Sequence, residues 1–272
     1  MNPIEKFQPP LLSIVIVTFN AGEFLPRTLE SLENQTDFDP TDVEVVVIDG
    51  GSTDNTLEII KECPMTSTVL SESDNGIYDA MNKGARLASG RWLQFLNAGD
   101  SYSGSNDLRT ALDGLDVADG EATPWMISAA QNLGGGKGVV RRIPNVPHTW
   151  WRHAYGLQPH CHQATWFKRA TFIDSGAHAL KFGTADDFDV IVRFGMLARP
   201  LVIDDILIDY LGGGVSEKTF ALNPILQHRV RAERFQLGPV GRGIDRQAGR
   251  LVAVLNAART WAGHMKSKIR PL

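Results

Sequence analysis

The chain has 272 residues, 43% hydrophobic and 21% charged, with a formal net charge of −4, which is typical of a soluble globular protein with one full core. No apolar run reaches the roughly 18 to 20 residues that a membrane-spanning helix needs, and Glu5 and prolines stand where an export signal would be apolar. Cys63 and Cys161 lie far apart, which argues against a disulfide scaffold and a zinc site and fits a reducing compartment. We therefore expect a cytoplasmic protein, soluble or peripheral on a membrane.

The charge is distributed unevenly along the chain. Residues 217–272 contain 11 Lys/Arg and 3 Asp/Glu, a net charge of +8, so the other 216 residues carry −12. An acidic body binds nucleic acid poorly, whereas a basic C-terminal segment suits docking on an anionic partner. We expect no nucleic-acid partner.

The first hundred residues alternate between strand-like and helix-like patterns. The predicted strands are Leu12–Phe19, Val43–Ile48, Thr68–Ser71 and Arg91–Leu96. Apolar residues at helical spacing follow each of the first three runs, most clearly over Ile77–Ala88. Strands that alternate with helices predict an α/β fold with a mostly parallel, Rossmann-like sheet flanked by helices.

Beyond Asp100 the pattern is weaker. The expected strands are Trp125–Ala130, His160–Phe167 and Val202–Tyr210. The expected helices are Leu108–Leu115, Asp186–Leu197, Phe220–Leu237 and Gln247–Met265. Gly134–Gly138 is interpreted as a loop, because its glycine spacing does not fit a phosphate-binding loop.

Three acidic residues, Asp49, Asp74 and Asp100, follow apolar runs at the points where strands are predicted to end. Ligands of open α/β sheets bind beyond the carboxyl ends of the strands, so these carboxylates suit a divalent cation and a phosphorylated ligand. The structural alternatives are that Asp49 and Ser52 cap the next helix and that Asp100 belongs to a turn.

A further acidic cluster, Asp186-Asp187-Phe188-Asp189, precedes an apolar helical face. Carboxylates in the first turn of a helix are stabilised by the helix dipole, which is the structural interpretation. Crowding of carboxylates also raises the pKa of one of them and produces a general base, which is the catalytic interpretation.

His160 and His162 share a face if this segment is a strand, but no further Cys or His has the spacing of a partner ligand. We therefore reject a metal site here. A polar contact to substrate through His162 and Gln163, or packing, is the alternative.

The order of these motifs resembles that of family 2 glycosyltransferases, which have the GT-A fold. The resemblance rests on the segments 15–20 (VIVTFN), 47–54 (VIDGGSTD), 71–84 (SESDNGIYDAMNKG) and 96–100 (LNAGD). It resumes at His162-Gln163 and at 186–193, and it fades after Gly213-Gly214-Val215-Ser216. The 71–84 segment is similar to a subgroup that builds bacterial surface polysaccharides.

The resemblance implies a GT-A catalytic domain over residues 1–216, with a donor half at about 10–105, an acceptor half at 106–216, and a basic helical extension at 217–272. It implies an inverting transferase that uses a nucleotide-activated sugar. The implied donor-binding residues are Thr18, Asn20, Asp49, Asp74, Asn82, Lys83 and Asn97. The implied acceptor-binding residues are His162 and Gln163. Asp187 matches the catalytic base, with Asp186 as the competing assignment.

Asp100 matches the last Asp of the family's DxD metal motif, which implies a divalent cation, Mn²⁺ or Mg²⁺. The first Asp of that motif is replaced by Asn97. An Asn carbonyl can still ligate a cation or contact the sugar, but the site has one negative charge fewer. Weaker metal binding is expected.

The C-terminal segment carries apolar residues at helical spacing among cations. The apolar positions are Leu251, Val254, Leu255, Ala258, Trp261 and Met265, and the cations are Arg246, Arg250, Arg259, Lys266, Lys268 and Arg270. This pattern fits an anionic membrane surface that holds a lipid-linked acceptor. A helix packed on the catalytic domain is the structural alternative.

Two other function classes remain. A sugar nucleotidyltransferase shares the layout, but it needs a basic glycine-rich loop after the first strand, and the chain has acidic Glu23 there. A catalytically silent nucleotide-binding scaffold is favoured by Asn97 and disfavoured by Asp100 and Asp187. For the transferase, UDP is the favoured nucleotide, with dTDP and GDP open, and the acceptor is a hydroxyl of a glycan or of a lipid-linked molecule.

Overall fold

The computed structural model describes residues 8–136, 141–143, 148–158, 160–212 and 223–269. The strands in these ranges are β1 (Leu12–Thr18), β2 (Val43–Asp49), β3 (Thr66–Ser71), β4 (Trp92–Asn97), β5 (Ser101–Tyr102), β6 (Trp125–Asn132), β7 (Arg141–Ile143), β8 (Thr165–Lys168) and β9 (Leu201–Tyr210). The α-helices are α1 (Leu25–Glu33), α2 (Thr56–Glu62), α3 (Ile77–Leu87), α4 (Asp107–Gly120), α5 (Trp150–Ala154), α6 (Arg169–Asp174), α7 (Asp186–Leu197), α8 (Asn223–Arg234) and α9 (Pro239–Ile269).

The strands form a single sheet in the order β3-β2-β1-β4-β8-β6-β9-β5, and β7 pairs with β6. The four strands from β3 to β4 are parallel, and their register places Thr18 opposite Asp49 and Asp49 opposite Ser71. The carboxyl ends of these strands therefore meet at one edge, where an open α/β sheet binds its ligands.

Beyond β4 the sheet is mixed rather than parallel. β8 runs antiparallel to both β4 and β6, whereas β6 and β9 are parallel to each other. The expectation of a mostly parallel sheet therefore describes the N-terminal half of the fold. In the second half, β6 and β8 are antiparallel neighbours, and antiparallel strands need no helical crossover between them.

The core lies on both faces of the sheet. Ile14 and Ile16 of β1 contribute to a cluster with α1 and α4, and Val15 and Val17 contribute to a cluster with α3 and α7. Successive side chains of a strand point to opposite faces, so a strand buried on both faces needs the continuous apolar run seen in the sequence. This burial fixes β1 inside the parallel part of the sheet, between β2 and β4.

Most predicted elements of the first 200 residues are present with shifts of one or two residues, and α7 has the predicted bounds, Asp186–Leu197. The predicted strand His160–Phe167 is wrong in its first half. His162–Ala164 form a 3₁₀ turn in which the Ala164 N–H donates to the Cys161 carbonyl, and strand pairing starts only at Thr165. Gly134–Gly136 form a 3₁₀ turn, and the Gly213–Ser216 motif lies outside the described residues.

The two C-terminal helices pack against each other through a buried ionic cluster. Arg231 of α8 donates from Nε and Nη2 to the two oxygens of Asp245 of α9, at 2.8 and 3.1 Å, and His228 Nδ1 lies 2.6 Å from the same carboxylate. Arg231 also donates to the Ala154 carbonyl of α5, at 2.8 Å.

α9 begins at Pro239, earlier than the expected Gln247. No helix in the described part of the chain is long and apolar enough to cross a bilayer.

Candidate active site

Asp49, at the carboxyl end of β2, is fully buried and is surrounded by hydrogen-bond donors. Its Oδ1 accepts from the hydroxyls of Thr18 (3.1 Å) and Ser52. Its Oδ2 accepts from the amides of Gly51 (3.1 Å) and Ser52 (3.0 Å) and from the Ser71 hydroxyl (2.7 Å). Desolvation raises the pKa of Asp49, but these hydrogen bonds together hold it below its ordinary value. Asp49 thus joins the ends of three strands by hydrogen bonds. Thr18 contributes to this arrangement by donating to Asp49.

Asn20 joins the loops that follow β1 and β2. Its amide N–H donates to Ser52 Oγ at 2.7 Å, and its side-chain oxygen accepts from the Thr53 amide at 2.9 Å. Asn20 has a φ of 46°, a left-handed conformation that Asn tolerates better than most residues. The Gly22 amide adds a bond to Asp54 at 3.0 Å. The two loops therefore form one rigid rim.

The open part of this rim is formed by Phe19 and Asp74. The Phe19 side chain is 65% exposed, and Asp74 is half-buried with Oδ1 accepting from the Gly76 amide at 2.8 Å. A Cβ on Gly50 would lie 2.7 Å from Asp74 Oδ2 and 3.3 Å from the Phe19 ring, so both side chains flank this glycine. Sequence reasoning missed Phe19, although an aromatic residue directly after a buried strand was the available signal.

Asn82 and Lys83 of α3 are engaged with the protein rather than with the rim's open side. The Asn82 side chain is buried and makes two 2.9 Å hydrogen bonds to the backbone of His178, one as donor and one as acceptor. Lys83 Nζ lies 2.8 Å from Glu72 and donates to the Ser73 carbonyl at 2.9 Å. Asn82 thus fixes a distant loop, and Lys83 fixes the loop that carries Asp74.

Asp100 follows β4 and is 3% exposed. Its Oδ1 accepts from the Leu211 amide at 2.9 Å, while Oδ2 and the Asn97 side-chain oxygen are buried without a hydrogen-bond partner of good geometry. Burial raises the pKa of Asp100 to about 7, against the opposing effects of the Leu211 amide and the Asn97 and Gln163 side chains. Two unsatisfied oxygens at a strand end suit a hard cation.

The donor set fits a weakly held cation. No three His, Cys, Asp or Glu side chains in the described ranges converge as ligands. Mg²⁺-type sites often use one or two protein oxygens together with substrate phosphates. Asp100 and Asn97 could supply that minimum.

The first turn of α7 carries Asp186 and Asp187. Asp186 is 1% exposed, and Asp187 is partly exposed with Oδ1 accepting from the Phe188 amide at 2.6 Å. Desolvation, with a contribution from the Asp186 charge, raises the pKa of Asp187 to about 6, against hydrogen bonds from Phe188 and Tyr78. A partly exposed carboxyl with such a pKa is suited to general-base chemistry near neutral pH.

Cys161 relates the Asp100 and Asp187 groups. Burial raises the pKa of the Cys161 thiol to about 12, and the charges of both Asp100 and Asp187 contribute. The Cys161 thiol donates to Gln163 Oε1 at 3.2 Å. The Cys161 thiol is therefore within electrostatic range of both the candidate cation site and the candidate base.

His162 is placed differently from its neighbour Gln163. Its ring packs against Phe95, Phe167 and His178, with centroid distances of 5.3–5.8 Å, and burial lowers its pKa to about 4. His160 contacts His148 and His153 instead, with centroids 4.8 and 4.9 Å away. The two histidines thus do not share a face, because the 3₁₀ turn separates them, and the His162 ring lies among aromatic rings.

Comparison with known proteins gives the family. The family model described as Glycosyl transferase family 2 matches residues 13–120. An uncharacterized glycosyltransferase of Mycobacterium tuberculosis (strain CDC 1551 / Oshkosh) is 30% identical over 207 residues, 76% of this chain and 77% of that protein. A PGL/p-HBAD biosynthesis glycosyltransferase of Mycobacterium bovis (strain BCG / Pasteur 1173P2) is 34% identical over 194 residues, 68% and 69% of the two chains.

Solved structures show the same fold. S. aureus TarS in complex with UDP has a TM-score of 0.61 at 20% identity, and the alignment covers 81% of this chain and 65% of that one. The mannosyltransferase PcManGT from Pyrobaculum calidifontis, in complex with GDP-Man and Mn²⁺, has a TM-score of 0.65 at 15% identity, with 93% and 76% covered. The fold is thus GT-A, and from its family match and its relatives the chain belongs to glycosyl transferase family 2.

Proposed function

We propose that this glycosyltransferase moves a sugar, with inversion, from a nucleoside diphosphate donor to a hydroxyl of a glycan or lipid-linked acceptor in bacterial polysaccharide biosynthesis. UDP-sugars are the favoured donors. The main supporting observation is that two carboxyls with raised pKa values, Asp100 and Asp187, both lie within electrostatic range of the Cys161 thiol. They suit the two tasks of glycosyl transfer, which are stabilising the leaving diphosphate and deprotonating the acceptor.

The rim at the ends of β1, β2 and β3 is the proposed nucleoside site. Phe19 offers an exposed aromatic face for the base, and Asp74 offers a carboxylate that accepts from a ring N–H or a ribose hydroxyl. Asp49 has no free position for a ligand, because five protein donors occupy its oxygens. Asp49, Thr18 and Asn20 therefore shape the nucleoside site in this proposal.

The diphosphate is proposed to lie at the end of β4. Asp100 and Asn97 would hold a divalent cation, Mn²⁺ or Mg²⁺, whose charge offsets the negative charge that develops on the leaving diphosphate. The solved mannosyltransferase with GDP-Man and Mn²⁺ is a structural precedent for this combination.

Asp187 is the proposed base for the acceptor hydroxyl. Gln163, whose side chain interacts with Asp100, is the proposed acceptor contact. One base and direct attack at the anomeric carbon need no enzyme nucleophile, so the product has inverted configuration. Asp186 is the competing base, but it is almost completely buried, so an acceptor reaches it less easily than Asp187.

A lipid-linked acceptor resides at a membrane surface, so the proposal includes a cytoplasmic protein that is peripheral on the inner face of the cell membrane. A catalytically silent nucleotide-binding module is the second candidate, favoured by Asn97 in place of an acid.

The first experiment is thermal unfolding with UDP, dTDP, GDP or CMP, each with and without Mn²⁺. A nucleotide at 100 times its Kd adds about 2.7 kcal/mol of stability. A shift with one nucleotide that Mn²⁺ enhances supports the donor site and selects the base. NMR of the anomeric proton of the product then tests inversion. The matched variants Asp187→Asn and Asp186→Asn test which carboxylate is the base. No shift with any nucleotide would contradict the proposal, and binding without turnover would favour the silent module.

A further inference from the structure

The long helix α9 has an exposed apolar stripe. Val240, Ile244, Leu251 and Val254 have 77%, 67%, 62% and 66% of their surface exposed. Each helical residue advances about 100°, so these four positions fall within roughly 80° of one another. Four large apolar side chains on one exposed helix face are more than the scattered single residues expected of a protein surface.

The opposite side of α9 is already docked on α8. Asp245, which is 4% exposed, pairs there with Arg231 and His228. A Cβ on Gly249 would lie 3.1 Å from Arg231 Nη2, so this glycine also faces α8. The buried ionic cluster therefore fixes the rotation of α9 and turns the stripe away from the protein.

Cations accompany the stripe. Arg246 and Arg250 are exposed and lie on one flank of it, roughly 80–120° from its centre. The sequence of Pro239–Ile269 holds six Lys/Arg and a single acid, which is the buried Asp245, so the helix carries +5. If two copies of α9 packed stripe to stripe, their positive charges would repel each other. An anionic lipid surface would instead neutralise these charges.

We propose that the stripe of α9 and its flanking arginines form a binding surface for an anionic lipid bilayer. The apolar side chains enter the boundary between headgroups and acyl chains, and the guanidinium groups contact lipid phosphates. This inference deepens the membrane position in the proposed function, but lipid binding itself requires no catalytic activity.

The test is sedimentation of the full chain with vesicles of phosphatidylcholine alone or with about 30% phosphatidylglycerol, at low and high salt. We expect binding to the anionic vesicles that weakens at high salt. Ile244→Asp/Leu251→Asp should lower the partition coefficient at least tenfold, by the loss of about 0.8 kcal/mol per inserted CH₂. Arg246→Gln/Arg250→Gln should lower it roughly 30-fold on anionic vesicles. Val117→Asp, at a 50% exposed position on α4, is the matched control and should bind like the wild type.

Circular dichroism and the UDP-induced shift in Tm verify that each variant keeps its fold and donor site, so loss of lipid binding is separable from failure of the proposed function. If the stripe variant unfolds, the arginine variant and the salt dependence still decide. Absence of wild-type binding to anionic vesicles would overturn the proposal. Binding of the Ile244→Asp/Leu251→Asp variant to anionic vesicles as tightly as the wild type would also overturn it. So would the finding that vesicles bind neither protein while the wild type dimerises with increasing concentration and this variant does not.

Discussion

Replacing either of two carboxylates near strand ends by alanine tests whether Asp49 supports the proposed nucleoside site while Asp74 contacts the ligand. Asp49→Ala and Asp74→Ala are the same chemical change in neighbouring segments. Asp49 is fully buried and accepts five hydrogen bonds. Asp74 is half-buried and accepts one, from Gly76. Asp49→Ala should therefore lose far more stability than Asp74→Ala, although the chemical change is the same.

The magnitude for Asp49→Ala follows from the donors left behind. The hydroxyls of Thr18, Ser52 and Ser71 can rotate to other acceptors, whereas the amides of Gly51 and Ser52 cannot. Each unsatisfied amide costs about 1–3 kcal/mol, so the free energy of unfolding should fall by about 2–6 kcal/mol. That corresponds to a decrease in Tm of roughly 5–20 °C for a domain of this size.

Asp74→Ala loses a single hydrogen bond near solvent, worth about 0.5–1.5 kcal/mol, and its Tm should fall by less than about 6 °C. It should nevertheless lose most of the UDP-induced shift, because the proposed ligand of the base or ribose is gone. The assay is thermal unfolding of wild type and both variants, each with and without saturating UDP and Mn²⁺.

The opposite pattern would refute this reasoning. If Asp49→Ala kept the wild-type Tm and lost the UDP shift, Asp49 would be a direct ligand of the nucleotide. If Asp74→Ala kept the full UDP shift, Asp74 would have no role in donor binding.

Three other outcomes are expected. Asp187→Asn should lower kcat by about 10²–10⁴, and wild-type kcat/KM should rise as the pH increases through about 6, because a base must first lose its proton. Asp100→Asn should leave UDP binding measurable but remove the additional Tm shift that Mn²⁺ gives, since the cation loses its single charged ligand among the two proposed. Arg231→Met should lower the free energy of unfolding by about 3–5 kcal/mol, because Asp245 stays buried without its main partner. Arg231→Met/Asp245→Leu should recover part of that loss.

Each of these has a contradicting result. A pH profile that Asp187→Asn leaves unchanged in shape would assign the base elsewhere. Mn²⁺ enhancement that persists in Asp100→Asn would move the cation from the end of β4. A double variant no more stable than Arg231→Met would mean that the uncompensated Asp245 charge is not the cause of the loss.

Much of the N-terminal half of the fold could be predicted from local sequence. The strands β1, β2 and β4 could be predicted without information from distant residues. Each is buried on both faces, and a strand of this kind is recognised by a continuous apolar run. The same holds for α7, whose acidic first turn and apolar face define both ends. Strand ends followed by acids are therefore the basis of the prediction that the site lies at this edge of the sheet.

Contacts between distant residues required the tertiary structure. Asn82 looks like a ligand-facing helix residue until its amide is found on His178, 96 residues away. His162 is polar in the sequence but lies among aromatic rings, because a 3₁₀ turn rotates it out of the predicted strand. Asp49 has the same local signature whether its donors come from a ligand or from three strands. The sequence by itself determined most of the elements and the family resemblance, since these depend on periodicity and local order. Only the packing of remote segments decided which polar groups are satisfied by protein partners and which are not.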